Sequence, residues 1–157
     1  MVFLEAKLLA KQKELQNWKE NMVYTEVEDI NQHAISTRWV MTTKEIDGNM
    51  TVKARLVARG FEDVETDTRT DSPTCSKDTM RMTLAIMAAK EWACMSLDIK
   101  TAFLQSCKLE RDVFLIPPKE ANTNLIWKLN KAIYGLNEAS RQWYNRVNQV
   151  LLEVGMK

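Results

Sequence analysis

The segment 37–58 constrains the fold most strongly, because it places a two-residue turn signal between two stretches rich in strand-forming residues. Asp47 and Gly48 are typical of the tight turn that closes a β-hairpin. In the second stretch apolar and charged side chains alternate, which puts them on opposite faces of a strand. The apolar set is Ala54, Leu56 and Ala58, and the charged set is Lys53, Arg55 and Arg59. We therefore predict strands over 37–44 and 50–58, with one face against the core and the other carrying cations.

Length and composition are those of one globular domain. The 157 residues, of which 45% are hydrophobic and 27% charged, suffice for a single core and exclude disordered, collagen-like and membrane proteins. With 22 Lys and Arg against 21 Asp and Glu, the overall charge does not indicate a nucleic-acid partner. Such a partner would need a local patch, and the segment 38–61 supplies one, with five cations against two acidic residues.

The cysteines and the apolar runs indicate the cellular setting. Cys75, Cys94 and Cys107 show no C-x-x-C spacing, which argues against a disulfide framework or a zinc site. No uncharged run approaches the ~20 apolar residues of a membrane span, and the N-terminus lacks the pattern of a signal peptide. We expect an intracellular protein without a membrane partner.

The rest of the chain predicts helices and strands in irregular order. The polar stretch 28–32 and the acidic stretch 62–71 predict loops. The other predicted elements are a helix over 4–18 with Leu4, Leu8, Leu15 and Trp18 on one face, a helix from Ser76 or Asp78 to Ala89, a buried strand over 93–99, a helical turn over 101–104, strands over 113–116 and 125–129, and a helix over 138–154 with Trp143, Val147, Val150, Leu151 and Val154 on its inner side. This order, without a βαβ rhythm or repeats, predicts an α+β fold with antiparallel pairs.

Six sequence strings occur in an order that is typical of one protein family. They are Arg38-Trp39-Val40, Asp47-Gly48, Lys53 to Phe61, Ser72-Pro73, Leu97 to Leu104, and Ile133 to Leu136. Together they closely resemble the reverse transcriptase of Ty1/copia-type retrotransposons, and the resemblance extends from about Trp18 to Lys157. It implies RNA-directed DNA polymerisation, with an RNA template, a DNA primer, deoxynucleoside triphosphates and Mg²⁺ or Mn²⁺.

The same resemblance implies a fold and a location. We expect the fingers and part of the palm of a right-hand polymerase, an incomplete α+β fold, after an N-terminal helix at about 1–22. The fingers would cover about 23–92 and 107–136, and the palm about 93–106 and 137–157. The expected location is the cytoplasm, including virus-like particles, or the nucleus.

Asp98 is the candidate catalytic residue. It ends a predicted core strand just before a turn, where a carboxylate can be held rigidly and still reach a ligand. The resemblance implies that Asp98 is the first metal-binding aspartate and that the carbonyl of Ile99 is a further ligand, since nucleotide addition uses two divalent cations held by oxygen atoms. The alternative is an Asp that caps the helical turn after Thr101.

The resemblance also assigns a nucleotide site. Lys44 and Arg55 would grip the triphosphate, because an Arg can fork onto two phosphate oxygens. Phe103 would lie beneath the incoming sugar and exclude a 2′-hydroxyl. Tyr134 and Gly135 would form the turn that supports the templating base, where Gly permits close backbone approach.

Three further cations are candidate contacts to the phosphates of template or primer, which position a duplex without reading its sequence. They are Lys53, Arg59 and Arg141. Every candidate has a plainer alternative: a solvated surface for the cations, core packing for Phe103, and an unremarkable loop for Tyr134 and Gly135.

The chain also departs from the family pattern. The family's second set of metal carboxylates lies in a Tyr-x-Asp-Asp hairpin, and no Asp-Asp pair occurs in the 157 residues. Thr42 and Asn137 stand where the family usually has lysines, and Ser140 where it has a proline. One Asp supplies too little negative charge for two divalent cations, so we expect a truncated copy that is inactive alone. The alternative is an inactive relic, or a host-retained protein that binds nucleic acid or a partner through the basic hairpin.

Overall fold

The computed structural model describes residues 2–46, 49–65 and 69–156. The predicted turn at Asp47 and Gly48, part of the acidic stretch 62–71, and Lys157 lie outside the described residues. The helices are α1 (Val2–Glu20), α2 (Lys77–Ala89) and α3 (Ala139–Glu153), and the strands are β1 (Tyr24–Val27), β2 (Ala34–Ile35), β3 (Thr37–Ile46), β4 (Asn49–Ala58), β5 (Phe114–Leu115) and β6 (Ile126–Leu129). Short 3₁₀ helices occupy Gly60–Glu62, Ala102–Gln105 and Lys119–Ala121. Within these ranges no helix has both the length and the apolar character to span a membrane.

The predicted hairpin is confirmed as the antiparallel pair β3–β4. Trp39 lies opposite Leu56 and Val40 opposite Arg55, so facing residues share one side of the sheet. The buried side carries Leu56, which is fully buried, together with Ala54 and Ala58. The alternation seen in the sequence therefore did predict which face of β4 meets the core.

The second sheet has four strands in the order β1, β6, β5, β2. The pairs β1–β6 and β5–β6 are antiparallel, and the short pair β2–β5 is parallel. Next to this sheet, the aromatic rings of Trp18, Tyr24 and Trp127 contact one another, with 3.9 Å between the centroids of the stacked Tyr24 and Trp127 rings. This cluster joins α1 to the sheet. The mixed content and antiparallel pairs agree with the predicted α+β class.

The predicted apolar face of α1 is only half correct. Leu15 and Trp18 are buried, but Leu4 and Leu8 are 75% and 51% exposed. Helical spacing shows which residues share a face, whereas burial needs a neighbour, and none of the described residues covers the first turns of α1. Only the C-terminal half of the helix is anchored in the core.

The edge of β4 that faces away from β3 is closed by polar groups. The Leu56 N–H donates to the Glu14 carboxylate at 3.4 Å, and the Ala58 N–H donates to the Tyr134 carbonyl at 2.8 Å. The Glu14 carboxylate is buried and also accepts a hydrogen bond from the Trp18 indole at 3.3 Å. An open strand edge would leave these amides unpaired, so the contacts hold α1 and the Tyr134 segment against the hairpin.

The helix predicted before Ala89 is confirmed, with Ser76 as its N-cap. The Ser76 hydroxyl accepts the Thr79 N–H at 3.1 Å. In contrast, the strand predicted over 93–99 is wrong, since this segment is irregular and exposed. A strand needs a neighbour that pairs its backbone N–H and C=O groups, and no strand within the described ranges lies beside it. The apolar side chains of α2, among them Leu84 at 51% exposure, likewise lack a cover.

The helix predicted over 138–154 is confirmed, but its inner side is not. Its first residue, Ala139, is buried, and Trp143 and Val147 are half-buried. Val150, Leu151 and Val154 are exposed, contrary to the prediction. Only the N-terminal part of α3 packs, against the 3₁₀ helix Ala102–Gln105, so the apolar stripe extends beyond the surface that it can cover.

Candidate functional site

Three of the predicted nucleotide-binding residues meet in one place. The guanidinium carbon of Arg55 lies 5.9 Å from the centroid of the Tyr134 ring. The Phe103 ring contacts the Tyr134 ring edge-on, with centroids 4.8 Å apart and planes at 82°. Arg55 comes from β4, Phe103 from the 3₁₀ helix Ala102–Gln105, and Tyr134 from the segment after β6. We call these three residues and Gly135 the Tyr134 cluster.

Gly135 lets this segment lie directly against the end of β4. Its φ of +95° suits glycine, and a Cβ there would lie 2.1 Å from the Ala58 carbonyl oxygen. A Cβ on Gly60 would in turn lie 2.1 Å from the carbonyl oxygen of Gly135. Both glycines are therefore required by close backbone approach, and the position of Tyr134 depends on them.

The electrostatics of the cluster leave it positively charged. Burial and the charge of the nearby Glu14 carboxylate raise the pKa of Tyr134, and Arg55 offsets this only in part, so the phenol stays neutral near pH 7. No carboxylate among the described residues forms an ion pair with Arg55. A cation held over an aromatic ring without an acidic partner is well suited to an anionic ligand.

Lys44 and Lys53 share the outward face of the hairpin with Arg55 but lie outside the cluster. In the β3–β4 register Lys44 faces Thr51, which is four residues from Arg55, so the two cations are roughly 13 Å apart along the strand. Both lysines are exposed. The outward face therefore presents a row of cations that leads from the cluster toward the end of the hairpin.

Arg59 and Arg141 are placed differently, because each already faces a carboxylate. Arg59 lies beyond the end of β4 and is 3.8 Å from Glu62, so it does not continue the strand face that the alternation predicted. Arg141 of α3 pairs with Asp71 at 2.9 Å and also lies over the Tyr144 ring. The geometry gives these two less support as phosphate contacts than it gives Arg55.

Asp98 and Ile99 lie in the exposed segment that precedes the 3₁₀ helix. Asp98 makes no hydrogen bond to that helix, so the capping alternative has no support among the described residues. Thr101 adopts a left-handed φ of 51°, which turns the chain between Asp98 and Phe103. The described ranges contain no group of three or more His, Cys, Asp or Glu that could hold a metal. The ligand role of Asp98 and Ile99 therefore stays a prediction.

A buried ionic network next to the cluster had no signal in the sequence. Arg111 donates to the Asp63 carboxylate at 2.5 and 3.1 Å and to the Glu138 carboxylate at 2.9 Å through two nitrogens. Burial alone would lower the pKa of Arg111, but these hydrogen bonds raise it above its usual range. The network ties the segment after Gly60 to the start of α3. Local patterns could not show it because the three residues are far apart in the chain.

Comparison with known proteins decides the family. A family profile described as "Reverse transcriptase (RNA-dependent DNA polymerase)" matches residues 21–157. The chain belongs to this family. The resemblance to reverse transcriptases of Ty1/copia-type retrotransposons, which the order of the motifs predicts, is confirmed by the family match and by curated relatives.

The relatives of this reverse transcriptase domain are transposon polyproteins. The chain is 34% identical over 129 residues to the Retrovirus-related Pol polyprotein from transposon RE1 of Arabidopsis thaliana, a match covering 77% of this chain and 9% of the relative. It is 31% identical over 153 residues to the Retrovirus-related Pol polyprotein from transposon TNT 1-94 of Nicotiana tabacum, covering 90% and 11%. The chain therefore spans about a tenth of the length of these relatives. No solved structure matches it at a significant level.

Proposed function

We propose that the chain forms the fingers and part of the palm of a retrotransposon reverse transcriptase, and that the Tyr134 cluster binds the incoming deoxynucleoside triphosphate. The fingers are about 23–92 and 107–136, and the palm is about 93–106 and 137–157. The observation that carries the proposal is the convergence of Arg55, Phe103 and Tyr134 from three separate segments.

Each member of the cluster has a role that its chemistry suits. Arg55 binds the triphosphate, because no carboxylate in the described part of the chain forms an ion pair with it and its planar fork matches two phosphate oxygens. Phe103 lies beneath the sugar and excludes a 2′-hydroxyl, and its edge contact with Tyr134 limits the ring's freedom. The turn at Tyr134 and Gly135 supports the templating base.

The basic row on the hairpin extends this site toward nucleic acid. Lys44 and Lys53 bind phosphates of the triphosphate or of the template and primer, with Arg59 and Arg141 contributing less because of their acidic neighbours. RNA template, DNA primer and deoxynucleoside triphosphates are the proposed partners.

The family generally uses divalent cations, and Asp98 with the Ile99 carbonyl is the proposed contribution of this chain to a Mg²⁺ or Mn²⁺ site. Carboxylate and carbonyl oxygens are the ligands such ions prefer. The remaining carboxylates of a two-metal site would come from outside the described residues.

A second candidate function is nucleic-acid binding without polymerisation. Two features of the described residues favour it: the hairpin cations Lys44, Lys53 and Arg55 form no ion pair there, and no group of three or more His, Cys, Asp or Glu is present that could hold a metal. A chain with this function would bind nucleic acid through the hairpin, and the Tyr134 cluster would not distinguish deoxynucleotides from ribonucleotides.

The test is the affinity of the purified chain for a fluorescent deoxynucleoside triphosphate, measured by anisotropy. Arg55→Gln should weaken binding about tenfold, the effect of roughly 1.4 kcal/mol, because it removes the charge beside Tyr134. Arg81→Gln is the matched control, since Arg81 lies on exposed α2. Equal affinity in the parent and in Arg55→Gln would refute a triphosphate site at the cluster, and binding of duplex alone would favour the second candidate.

A further inference from the structure

A second group of cations lies in a cleft that the proposed nucleotide site does not use. The cleft measures about 590 Å³, and its charged lining residues are Lys108, Lys131, Arg146 and Glu20. Its other lining residues are mostly polar and include Gln105, Ser106 and Gln149. No residue of the Tyr134 cluster or of the hairpin lines it.

Three separate parts of the chain place the three cations. Lys108 and Lys131 face each other across an isolated antiparallel bridge, beside the hydrogen bond from the Leu109 N–H to the Asn130 carbonyl at 2.9 Å. The Lys131 ammonium donates to the Leu104 carbonyl at 3.4 Å, which directs its side chain. Arg146 comes from α3, which packs on the 3₁₀ helix that contains Leu104.

These cations lack acidic partners in the part of the chain that the structure describes. The ion pairs there neutralise other half-buried cations, such as Arg111 with Asp63 and Arg141 with Asp71. None of the ion pairs includes Lys108, Lys131 or Arg146. The single carboxylate in the cleft, that of Glu20, accepts a hydrogen bond from Gln16 at 2.9 Å.

The like charges in the cleft disfavour one another. Burial lowers the pKa of Lys131, and the charge of Arg146 lowers it further. A multivalent anion would replace the lost solvation and screen the repulsion at the same time. A phosphate suits this set because its several oxygens can accept from ammonium, guanidinium and side-chain amide donors together.

We propose that this cleft binds phosphate groups, either of a nucleic-acid backbone or of a free oligophosphate, as a second anion site independent of the hairpin face. The site does not rest on the proposed function, because it shares no residue with the Tyr134 cluster. In a protein that handles nucleic acid it would hold a strand through residues that the Tyr134 cluster does not use.

The first test measures binding in a chain whose hairpin face has lost two cations through Lys53→Gln and Arg55→Gln. The probes are a fluorescein-labelled oligothymidylate, followed by anisotropy across a salt series, and inorganic tripolyphosphate, followed by calorimetry. Adding Lys108→Gln and Arg146→Gln should weaken oligonucleotide binding at least tenfold and flatten the salt slope by about 1.4 for two released counterions. The matched control adds Lys77→Gln and Lys90→Gln, which remove the same charge from the two ends of exposed α2.

The two probes distinguish the two sources of phosphate. Binding of both, with both lost in the cleft variant, indicates that free phosphate groups suffice. Binding of the oligonucleotide alone indicates that a backbone is required. Failure of both probes to bind, or equal losses in the cleft variant and in the α2 control, would overturn the inference. The result with Arg55→Gln and a nucleotide is a separate observation, so either proposal can fail while the other stands.

A second test uses Cys107, which also lines the cleft, as a local reporter. Saturating tripolyphosphate should slow alkylation of Cys107 by iodoacetamide, because a bound anion shields the thiol from the reagent. Exposed Cys75 is the internal control. Equal rate changes at both cysteines would show that the anion does not occupy the cleft.

Lys131→Arg should preserve the protection of Cys107 by tripolyphosphate, and Lys131→Gln should abolish it. Thermal unfolding verifies that both variants fold.

Discussion

At the scale of single residues, the proposed site depends on contacts that tolerate little change. Gly135 lies against the carbonyl of Ala58 with a left-handed φ, and the Tyr134 ring contacts both Arg55 and Phe103. A Cβ at Gly135 would meet the Ala58 carbonyl oxygen at 2.1 Å and the Val57 side chain at 2.7 Å, and the backbone oxygen cannot move aside as a flexible side chain can. Substitutions at Gly135 should therefore displace the Tyr134 cluster without changing the chemical groups that it contains.

Gly135→Ala should destabilise the fold by about 2–3 kcal/mol, because the new Cβ combines backbone strain with a contact at 2.1 Å from a carbonyl oxygen. Urea unfolding monitored by tryptophan fluorescence measures the change in the free energy of unfolding. Gly155→Ala is a close control, since Gly155 also has a positive φ of 81° but nothing within 4 Å of its Cβ position. Equal losses in the two variants would attribute the effect to φ alone and contradict the proposed close approach.

Asp98→Asn tests the proposed metal ligand, in a chain continued through the family's Tyr-x-Asp-Asp segment. The substitution removes charge and preserves shape, so primer extension should be lost while the unfolding midpoint stays unchanged. Asp112→Asn serves as the control, because Asp112 is exposed and pairs with Lys128. Activity within about tenfold of the parent, a loss of only 1.4 kcal/mol in transition-state stabilisation, would remove Asp98 from the catalytic residues.

At the scale of elements, the Arg111 network joins segments that no sheet connects. Burial raises the pKa of Asp63, but the hydrogen bonds from Arg111 outweigh it and lower that pKa below its ordinary value. A carboxyl whose pKa is depressed in the folded state stabilises the fold above its unfolded pKa, and this contribution is lost as the pH falls through the folded pKa. The network is therefore a source of acid sensitivity.

The free energy of unfolding should fall as the pH drops below about 4, and Asp63→Asn should make this fall less steep.

At neutral pH Arg111→Gln should lower the free energy of unfolding by about 3 kcal/mol, because it leaves two buried carboxylates without a cation. Lowering the pH should then reduce the difference in free energy of unfolding between this variant and the parent, since protonation removes the uncompensated charge. Urea unfolding across a pH series measures both effects. Lys128→Gln is the control, because it breaks the exposed pair with Asp112 and should change the free energy of unfolding by less than about 1 kcal/mol. A loss as large as that of Arg111→Gln would refute the assigned role of the network.

At the scale of the whole molecule, charge is distributed unevenly although the net charge is only +1. Within the described residues, the cations on the outward face of the hairpin and in the cleft lined by Lys108, Lys131 and Arg146 form no ion pair, whereas Arg59, Arg111 and Arg141 are paired. The exposed apolar side chains of α2 and of the segment 93–99 lie elsewhere. Binding of an RNA–DNA duplex should therefore respond to particular cations and not to the overall charge.

In a chain carrying Lys108→Gln and Arg146→Gln, duplex affinity should still fall with salt, because the hairpin cations remain. Arg55→Gln should flatten the salt slope by about 1, since it removes one cation that contacts phosphate. Arg59→Gln should change the slope less, because Glu62 already offsets its charge. Anisotropy of a labelled duplex across a salt series measures both slopes, and a larger effect from Arg59 than from Arg55 would contradict the assigned row.

The sequence by itself determined the features that depend on neighbouring residues. The alternation at 53–58 predicted the buried face of β4, the capping residues Ser76 and Asp78 narrowed the start of α2 to two positions, and the order of short motifs predicted the family. These succeed because strand alternation, helix capping and motif identity are properties of residues close together in the chain.

Only the tertiary structure decided which distant residues meet and which apolar segments are covered. It brought Arg55, Phe103 and Tyr134 together, enclosed Arg111 between two carboxylates, and left 93–99 unpaired where the pattern predicted a strand. The physical reason is that a contact between distant segments depends on the path of the intervening chain, while burial and strand pairing depend on a neighbour. An apolar or charged pattern predicts what a segment can bury or bind. The residues that lie next to the segment in space determine whether that burial or binding occurs.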